Sequence, residues 1–170
     1  MNCCVTGHRP KGFPFPRDPM CEDYRNYLNE LRKEITRLAH SGYTHFITGM
    51  ADGADLDFAH CVLELRTQIP SVTIEAVLPY PIVPARRKTA YQQERDFILS
   101  QCDHIHETSP YYHKGCMQKR NVYMVDHSDM VLAIWNGIES GGTWNTIQYA
   151  RKQRKKLLYL MLETENTSHR

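Results

Sequence analysis

Short apolar runs alternate with helical patterns along this 170-residue chain, and this alternation constrains the fold more than any other feature. The runs are apolar at nearly every position, which is typical of strands that are buried on both faces of a parallel sheet. The predicted strands are Cys3–Thr6, His45–Thr48, Val72–Leu78, His104–Glu107, Met130–Trp135 and Leu157–Met161.

Five segments between these runs show helical spacing of apolar residues. The predicted helices are one with an apolar face of Tyr24, Leu28, Leu31, Ile35 and Leu38 that ends near Ser41-Gly42, and others at Ala54 to Leu65, Tyr91 to Leu99, Met117 to Val125 and Thr143 to about Arg154. This succession contains no repeats, and it predicts a single Rossmann-like α/β domain over residues 1–170, with three layers and a mainly parallel sheet. The stretch Pro10–Pro19 carries four prolines and must be a loop. It either folds over the end of the sheet or forms a surface excursion.

Composition excludes several classes of protein. A net charge of +2 is too small to indicate a nucleic-acid or membrane partner. No apolar stretch approaches the roughly 20 residues of a membrane span, and the N-terminus lacks a signal-peptide pattern, so we expect a cytoplasmic protein. The six cysteines include no C-x-x-C pair, which predicts reduced, buried thiols and no metal site.

The first predicted strand ends in Gly7-His8-Arg9. A glycine past a strand allows a sharp turn, and an arginine there presents donors that suit a phosphate or a carboxylate. The simpler interpretation is a tight turn with a solvated arginine, and with His8 as a hydrogen-bonding loop residue.

The second strand leads into a turn with two glycines, Gly49 and Gly53, and two carboxylates, Asp52 and Asp55. A carboxylate here could accept hydrogen bonds from ribose hydroxyls, or it could cap the following helix. The spacing matches neither a G-x-G-x-x-G fingerprint nor a G-x-x-x-x-G-K-[ST] phosphate loop.

The fifth strand ends at Gly141-Gly142-Thr143, ahead of a helix. Free amide N–H groups at a helix N-terminus favour an anion, and glycine lets a phosphate come close to the backbone. The alternative is a tight turn that Thr143 caps. Upstream lie Arg120-Asn121 and Asp129. Arg120 is either a second phosphate partner or a surface arginine.

Taken together and in this order, the motifs resemble the SLOG superfamily, which includes the LOG phosphoribohydrolases and the DNA-processing protein A domain. The resemblance to its YpsA-type bacterial branch covers nearly the whole chain. The motifs that carry it are Thr6-Gly7-His8-Arg9-Pro10, Thr48-Gly49-Met50-Ala51-Asp52-Gly53-Ala54-Asp55, Cys102-Asp103, Arg120-Asn121, Ser128-Asp129 and Ser140-Gly141-Gly142-Thr143. The resemblance implies a nucleotide-related ligand between the loops that follow the first, second and fifth strands.

The chain departs from the phosphoribohydrolase pattern at two positions. Asn121 replaces the lysine of an arginine-lysine pair, and Thr146 stands where those enzymes keep a glutamate. A neutral threonine cannot act as a general base or stabilise an oxocarbenium-like centre in the same way. The departures therefore put the hydrolase mechanism in doubt, and no catalytic residue is predicted.

Three functional hypotheses follow. The favoured one is a sensor or regulatory module that binds a nucleotide-type ligand such as ADP-ribose, NAD or a nucleoside phosphate. The alternative is a nucleotide N-glycosidic hydrolase or transferase that uses Asp55, Asp129 and Arg120. The third, nucleic-acid binding, rests on the basic run from Arg151 to Lys156, which is more simply a solvated helix end.

Two further points stay open in the sequence. Self-association into a homo-oligomer is compatible with this type of fold, but no pattern in the sequence indicates it. Several aromatic rings are available to stack on a base, although most buried aromatic residues belong to a core. These rings belong to Tyr80, Tyr91, Tyr111, Tyr112, Trp135 and Trp144.

Overall fold

The computed structural model describes residues 1–164 as one α/β domain with a six-stranded sheet. The strands are β1 Asn2–Gly7, β2 His45–Thr48, β3 Thr73–Leu78, β4 His104–Glu107, β5 Met130–Trp135 and β6 Lys156–Met161. The helices are α1 Glu22–His40, α2 Ala54–Arg66, α3 Ala90–Gln101, α4 Cys116–Asp126 and α5 Gly141–Lys152, with a short 3-10 turn at Pro10–Gly12. The Rossmann-like prediction is confirmed, and the sheet is wholly rather than mainly parallel.

Helices cover both faces of the sheet and give the domain three layers. One face packs against α1, α2 and α3 around residues such as Leu31, Phe58 and Ile98, all of which are fully buried. The other face packs against α4 and α5, where Val125 and Ala150 meet the sheet. The strands of the sheet centre are therefore apolar on both sides, as the sequence indicates.

The edge strand β4 is an exception to that apolar pattern. The strand order is β4-β3-β2-β1-β5-β6, so β4 has a neighbour on one side only. The side chains of His104, Ile105 and Glu107 are exposed there.

The order of the strands fixes where the chain reverses direction across the sheet. From β1 the chain winds outwards through β2 and β3 to β4, and β5 then returns to the opposite side of β1. The loops that follow β1 and β5 consequently diverge to opposite faces and leave a crevice at the carboxyl edge, which is where open α/β sheets bind ligands.

The proline loop, residues 10–19, folds over this carboxyl edge. The rings of Phe13 and Phe15 are buried and contact Tyr27, with centroids 5.5 Å and 6.0 Å from its ring. The carbonyl of Gly12 accepts a 3.0 Å hydrogen bond from Asn136, directly after β5. The loop therefore folds over the end of the sheet and is not a surface excursion, so the first of the two interpretations is correct.

The fifth helix begins earlier than predicted. It starts at Gly141 rather than at Thr143. Gly141 adopts a φ of +81°, outside the helical range, which residues with a Cβ rarely adopt, so glycine is needed where the chain turns into the helix. The two glycines therefore belong to the first turn of α5 and place their own amide groups at the helix end.

Most of the cysteines are buried, as composition predicts. All six cysteines are free; four are buried, and Cys21 and Cys102 are partly buried. Among residues 1–164, no helix is long and apolar enough to cross a membrane.

Candidate functional site

A cleft of about 320 Å³ lies at the carboxyl edge, between the loops that follow β1 and β5. We call it the polar lobe. It brings together nine predicted site residues, which are Gly7, His8, Arg9, Asp55, Arg120, Asn121, Gly141, Gly142 and Thr143. Sequence reasoning missed Lys11 and Gly12 of the proline loop, Ala51 and Met117, which also line it.

The first turn of α5 presents free backbone donors to this lobe. Ser140 occupies the N-cap position in an extended conformation and makes no side-chain capping hydrogen bond. Thr143 is the third helical residue, so the interpretation that it caps the helix is wrong. A Cβ built on Gly142 would meet no atom within 4 Å, so the space over this turn is open to a ligand. Helix dipole and free amides together favour an anion here.

Arg120 is a buried cation beside this turn. Its side chain is 7% exposed, which rules out the surface-arginine interpretation. Its Nη1 donates to the carbonyl of Gly49, and its Nε donates to Asn121 Oδ1 at 3.0 Å. Within residues 1–164, no carboxylate oxygen lies within 4.0 Å of the guanidinium. Burial lowers the pKa of Arg120, although the nearby charge of Asp55 opposes this effect.

Asp55 supplies the one carboxylate that lines the polar lobe in the described part of the chain. It is 6% exposed, and its Oδ2 accepts the amide of Ala51 at 3.1 Å, so it closes the preceding turn and does not cap α2. Burial raises the pKa of Asp55, and the charge of Arg120 and the Ala51 amide oppose the increase. An acidic group in this position is a hydrogen-bond acceptor for a ligand hydroxyl, or a proton donor when protonated.

His8 and Arg9 differ sharply in their surroundings. The Nε2 atom of His8 is buried and has no hydrogen-bond partner among the described residues. Burial lowers the pKa of the imidazole and favours the neutral ring, and the nearby Asn136 side chain opposes this effect. Arg9 is exposed and extends along the lobe, where its guanidinium is open to solvent.

Three predicted site residues near α2, which are Gly49, Asp52 and Gly53, do not line the polar lobe but lie close to it. A Cβ on Gly53, whose φ is +100°, would lie 2.5 Å from the carbonyl oxygen of His8, so this glycine allows the first loop to contact the start of α2. A Cβ on Gly49 would lie 2.8 Å from Asp55 and 2.9 Å from Arg120, so only glycine fits between the two charges. Asp52 pairs with Arg17 at 3.3 Å.

The prediction that Asp129 joins this site is wrong. Asp129 precedes β5 and therefore lies at the amino edge of the sheet, opposite the cleft. Its carboxylate accepts the amide of Asn2 at 2.7 Å and supports the start of β1.

Thr146, at the position of the phosphoribohydrolase glutamate, has a structural role. It is 3% exposed, donates to the carbonyl of Gly142 at 2.9 Å and accepts from Asn121 at 3.1 Å. The first bond lies within the first turn of α5, and the second connects that turn to α4. This position supplies no acid or base to the cleft.

A second lobe of about 280 Å³ opens beside the first. We call it the apolar lobe. It shares Arg9, Ala51, Met117 and Arg120 with the polar lobe, and its other lining residues are Gly49, Met50, Leu78, Pro79, Tyr80, Ile82, Val83, Tyr91, Gln92 and Arg95. Of the six candidate rings, the structure brings Tyr80 and Tyr91 to the cleft. The sequence analysis did not predict the other lining residues of the apolar lobe. The rule that ligands bind at the loops after parallel strands nevertheless also points to the loop after β3.

The basic run from Arg151 to Lys156 lies at the far end of α5, at the amino edge of the sheet. The Nζ atom of Lys155 donates to the carbonyls of Ser128 at 2.7 Å and Asp126 at 3.2 Å. Arg151 donates to the hydroxyl of Tyr159 at 3.0 Å. The run is thus separate from the cleft. The described part of the chain also contains no cluster of three or more potential metal-ligating side chains.

Comparison with known proteins identifies the family. The model of the family described as YspA SLOG family (YpsA) matches residues 3–165. The SPbeta prophage-derived protein YoqJ of Bacillus subtilis (strain 168) is 31% identical over 120 residues, which cover 63% of this chain and 69% of that protein. A UPF0398 protein of Ligilactobacillus salivarius (strain UCC118) is 26% identical over 147 residues, or 84% of this chain and 79% of that protein. A UPF0398 protein of Bacillus thuringiensis (strain Al Hakam) is 23% identical over 125 residues, which cover 72% of this chain and 68% of that protein.

Because the family model covers almost the whole chain, the chain belongs to the YpsA family of the SLOG group. This membership confirms the resemblance inferred from the ordered motifs and supports a nucleotide-related function in general terms.

Proposed function

We propose that this protein binds a nucleotide or nucleotide derivative and acts as a sensor or regulatory module. One observation carries the proposal: the buried guanidinium of Arg120, without a carboxylate in contact, lies beside the uncapped first turn of α5 in a single cleft. Arg120 has hydrogen bonds to Gly49 and Asn121 and the charge of Asp55 nearby, but no anion in direct contact, and an anion in the polar lobe would supply that contact.

The lining residues suggest how each part of such a ligand would be held. A phosphate would accept hydrogen bonds from the amides of Gly142 and Thr143 and from the guanidinium groups of Arg9 and Arg120. Asp55 would accept from a sugar hydroxyl. Ligands of this class include ADP-ribose, NAD and nucleoside phosphates.

A thermal-shift measurement over a panel of these nucleotides tests the proposal. A ligand at about 100 times its dissociation constant stabilises the fold by about 2.7 kcal/mol and raises the melting temperature by several degrees. No shift with any member of the panel would overturn the proposal.

The substitution Gly142→Val locates the site. Because the added side chain meets open space, the free protein should melt close to wild type, but the valine would occupy the position of the phosphate. Asn145→Val is the matched control, since Asn145 is an exposed residue of the same helix and does not line either lobe. Unchanged nucleotide affinity in Gly142→Val would place the phosphate elsewhere.

A second candidate function, N-glycosidic hydrolysis, is favoured by Asp55 alone. A buried carboxyl with a raised pKa is suited to donate a proton to a leaving base while water adds to the sugar carbon. Chromatography of the same nucleotide incubations separates the two functions. Release of free base that is lost in Asp55→Asn would establish the hydrolase, whereas intact ligand supports the sensor.

A further inference from the structure

The two lobes of the cleft differ in chemistry. The polar lobe offers backbone amides, Lys11, Asp55 and Asn121. The apolar lobe offers the rings of Tyr80 and Tyr91 together with aliphatic side chains from the segment after β3. A ligand that fills both lobes must therefore have one charged end and one end with apolar faces.

The lobes adjoin each other, because four residues line both of them. Arg9 and Arg120 stand at the junction, with Met117 of α4 beside them. A molecule that binds in both lobes would reach from the first turn of α5 to Tyr91 across these shared residues. Its middle portion would pass the two arginines.

The distribution of charge fixes the orientation of such a molecule. In the polar lobe, Arg9, Lys11 and Arg120 face the single carboxylate of Asp55. In the apolar lobe, Arg95 already has a counter-ion, because its Nη2 lies 2.9 Å from Asp96. Because Arg9 and Arg120 serve both lobes, the features that mark the anionic end are Lys11 and the uncapped first turn of α5, which only the polar lobe has.

The rings in the apolar lobe are held in place by other parts of the fold. The hydroxyl of Tyr91 donates to the carbonyl of Met50 at 2.8 Å, and the Arg95 guanidinium lies over the Tyr91 ring at 5.5 Å from its centroid. Tyr80 packs edge-on against Tyr112, with the ring centroids 5.6 Å apart. Aromatic faces held in this way can stack on any of the nucleic-acid bases, because every base has a flat π-face.

We infer that the apolar lobe receives a planar base, so that the ligand is a nucleoside 5′-monophosphate or a molecule that ends in one. The phosphate lies in the polar lobe, and the base lies against Tyr80 and Tyr91. This inference rests on the proposed function and adds to it the class of ligand and its direction in the cleft.

The wall of the apolar lobe provides an independent readout. No hydrogen bond ties residues 81–87 to the rest of the described chain, and the segment is held at its ends by the Tyr80–Tyr112 contact and by the 2.7 Å ion pair between Lys88 and Asp96. Arg86 and Arg87 within it are exposed and open to trypsin. A base beneath this wall would hold the segment and slow its cleavage.

Calorimetry with three probes tests the inference: adenosine 5′-monophosphate, ribose 5-phosphate and inorganic phosphate. The nucleotide should bind about fivefold to a hundredfold more tightly than ribose 5-phosphate, as expected for stacking of one base. Tyr80→Ala should remove most of this difference and leave ribose 5-phosphate binding unchanged. Tyr111→Ala is the matched control, because Tyr111 is 69% exposed and lines neither lobe.

Limited trypsin digestion, followed by mass spectrometry of the cleavage after Arg86 and Arg87, gives the second measurement. The nucleotide should slow this cleavage, and ribose 5-phosphate should not. Equal affinity of the two ligands, equal protection by them, or equal losses in Tyr80→Ala and Tyr111→Ala would each overturn the inference and leave the phosphate site intact. Absence of binding by all three probes would overturn the inference, and the proposed function itself would be contradicted only if the whole nucleotide panel also gave no thermal shift.

Discussion

At the scale of single residues, the cleft contains two arginines of opposite character. Arg120 is buried and hydrogen-bonded to Gly49 and Asn121, so it is part of the architecture as well as a proposed ligand contact. Arg9 is exposed and its side chain lines both lobes. Removal of Arg120 therefore changes stability and binding together, whereas removal of Arg9 isolates the effect on the ligand.

The substitution Arg9→Ala should weaken the binding of a nucleotide phosphate by about 1.5–3 kcal/mol, because one charge-assisted hydrogen bond is lost. The melting temperature of the free protein should stay unchanged. Isothermal titration calorimetry measures the first quantity and calorimetric melting the second. Arg37→Ala, which removes the same charge from the exposed end of α1, should leave the affinity unaltered. Equal affinities of the two variants would show that Arg9 does not contact the phosphate.

At the scale of elements, the proline loop is fixed to the helical layer by one buried ion pair. The Nη2 atom of Arg17 lies 2.7 Å from Asp57 Oδ1, and the Asp57 side chain is only 2% exposed. Asp57 also accepts hydrogen bonds from Tyr24 at 2.8 Å and Tyr27 at 3.3 Å. Because Lys11 and Gly12 of the same loop line the polar lobe, this ion pair links the stability of the helical layer to the shape of the cleft.

Arg17→Met should reduce the free energy of unfolding by about 3–5 kcal/mol, since it leaves the buried Asp57 carboxylate without its cation. Urea denaturation provides the measurement. Arg32→Met is the control. Arg32 connects α1 to α2 through Glu64 at 2.7 Å, but both side chains are largely exposed. The expected loss in the free energy of unfolding is therefore about 0–1 kcal/mol. Similar losses in the two variants would mean that the buried pair contributes no more than the surface pair.

At the scale of the whole molecule, the sequence predicts the architecture well and the cleft in part. All six strands are identified from the sequence, and the pattern is strongest for the central strands β3, β2, β1 and β5, because strands buried on both faces are apolar at nearly every position. The rule for carboxyl edges then finds Gly7, Asp55 and Gly142. Asp129 was misplaced because the order of motifs along the chain does not show that a residue ahead of β5 lies at the amino edge of the sheet. Lys11 and Val83 were missed, because nothing in the sequence shows which residues of the proline loop and of the loop after β3 face the cleft.

Ligand binding should slow amide hydrogen exchange in three distant segments at once. These segments are residues 7–12, 49–55 and 138–143, all at the carboxyl edge of the sheet. Exchange measured with saturating adenosine 5′-monophosphate should show protection in all three, while the turn at 127–129 on the amino edge stays unchanged. Protection confined to one segment, or found at the amino edge, would contradict a shared cleft at the strand reversal.

The pairing of β1 with β5 also bears on when the protein becomes functional during its synthesis. Asn2 and Asp129, which meet at the start of these strands, are 127 residues apart in the chain. A ribosome must therefore synthesise the chain through β5 before the first loop acquires its opposite wall. Translation fragments that stop before β5 lack the α5 turn as well, so they carry Arg9 and Asp55 but not the amides proposed to bind the anion. The proposed nucleotide site would be complete only after α5 has been synthesised.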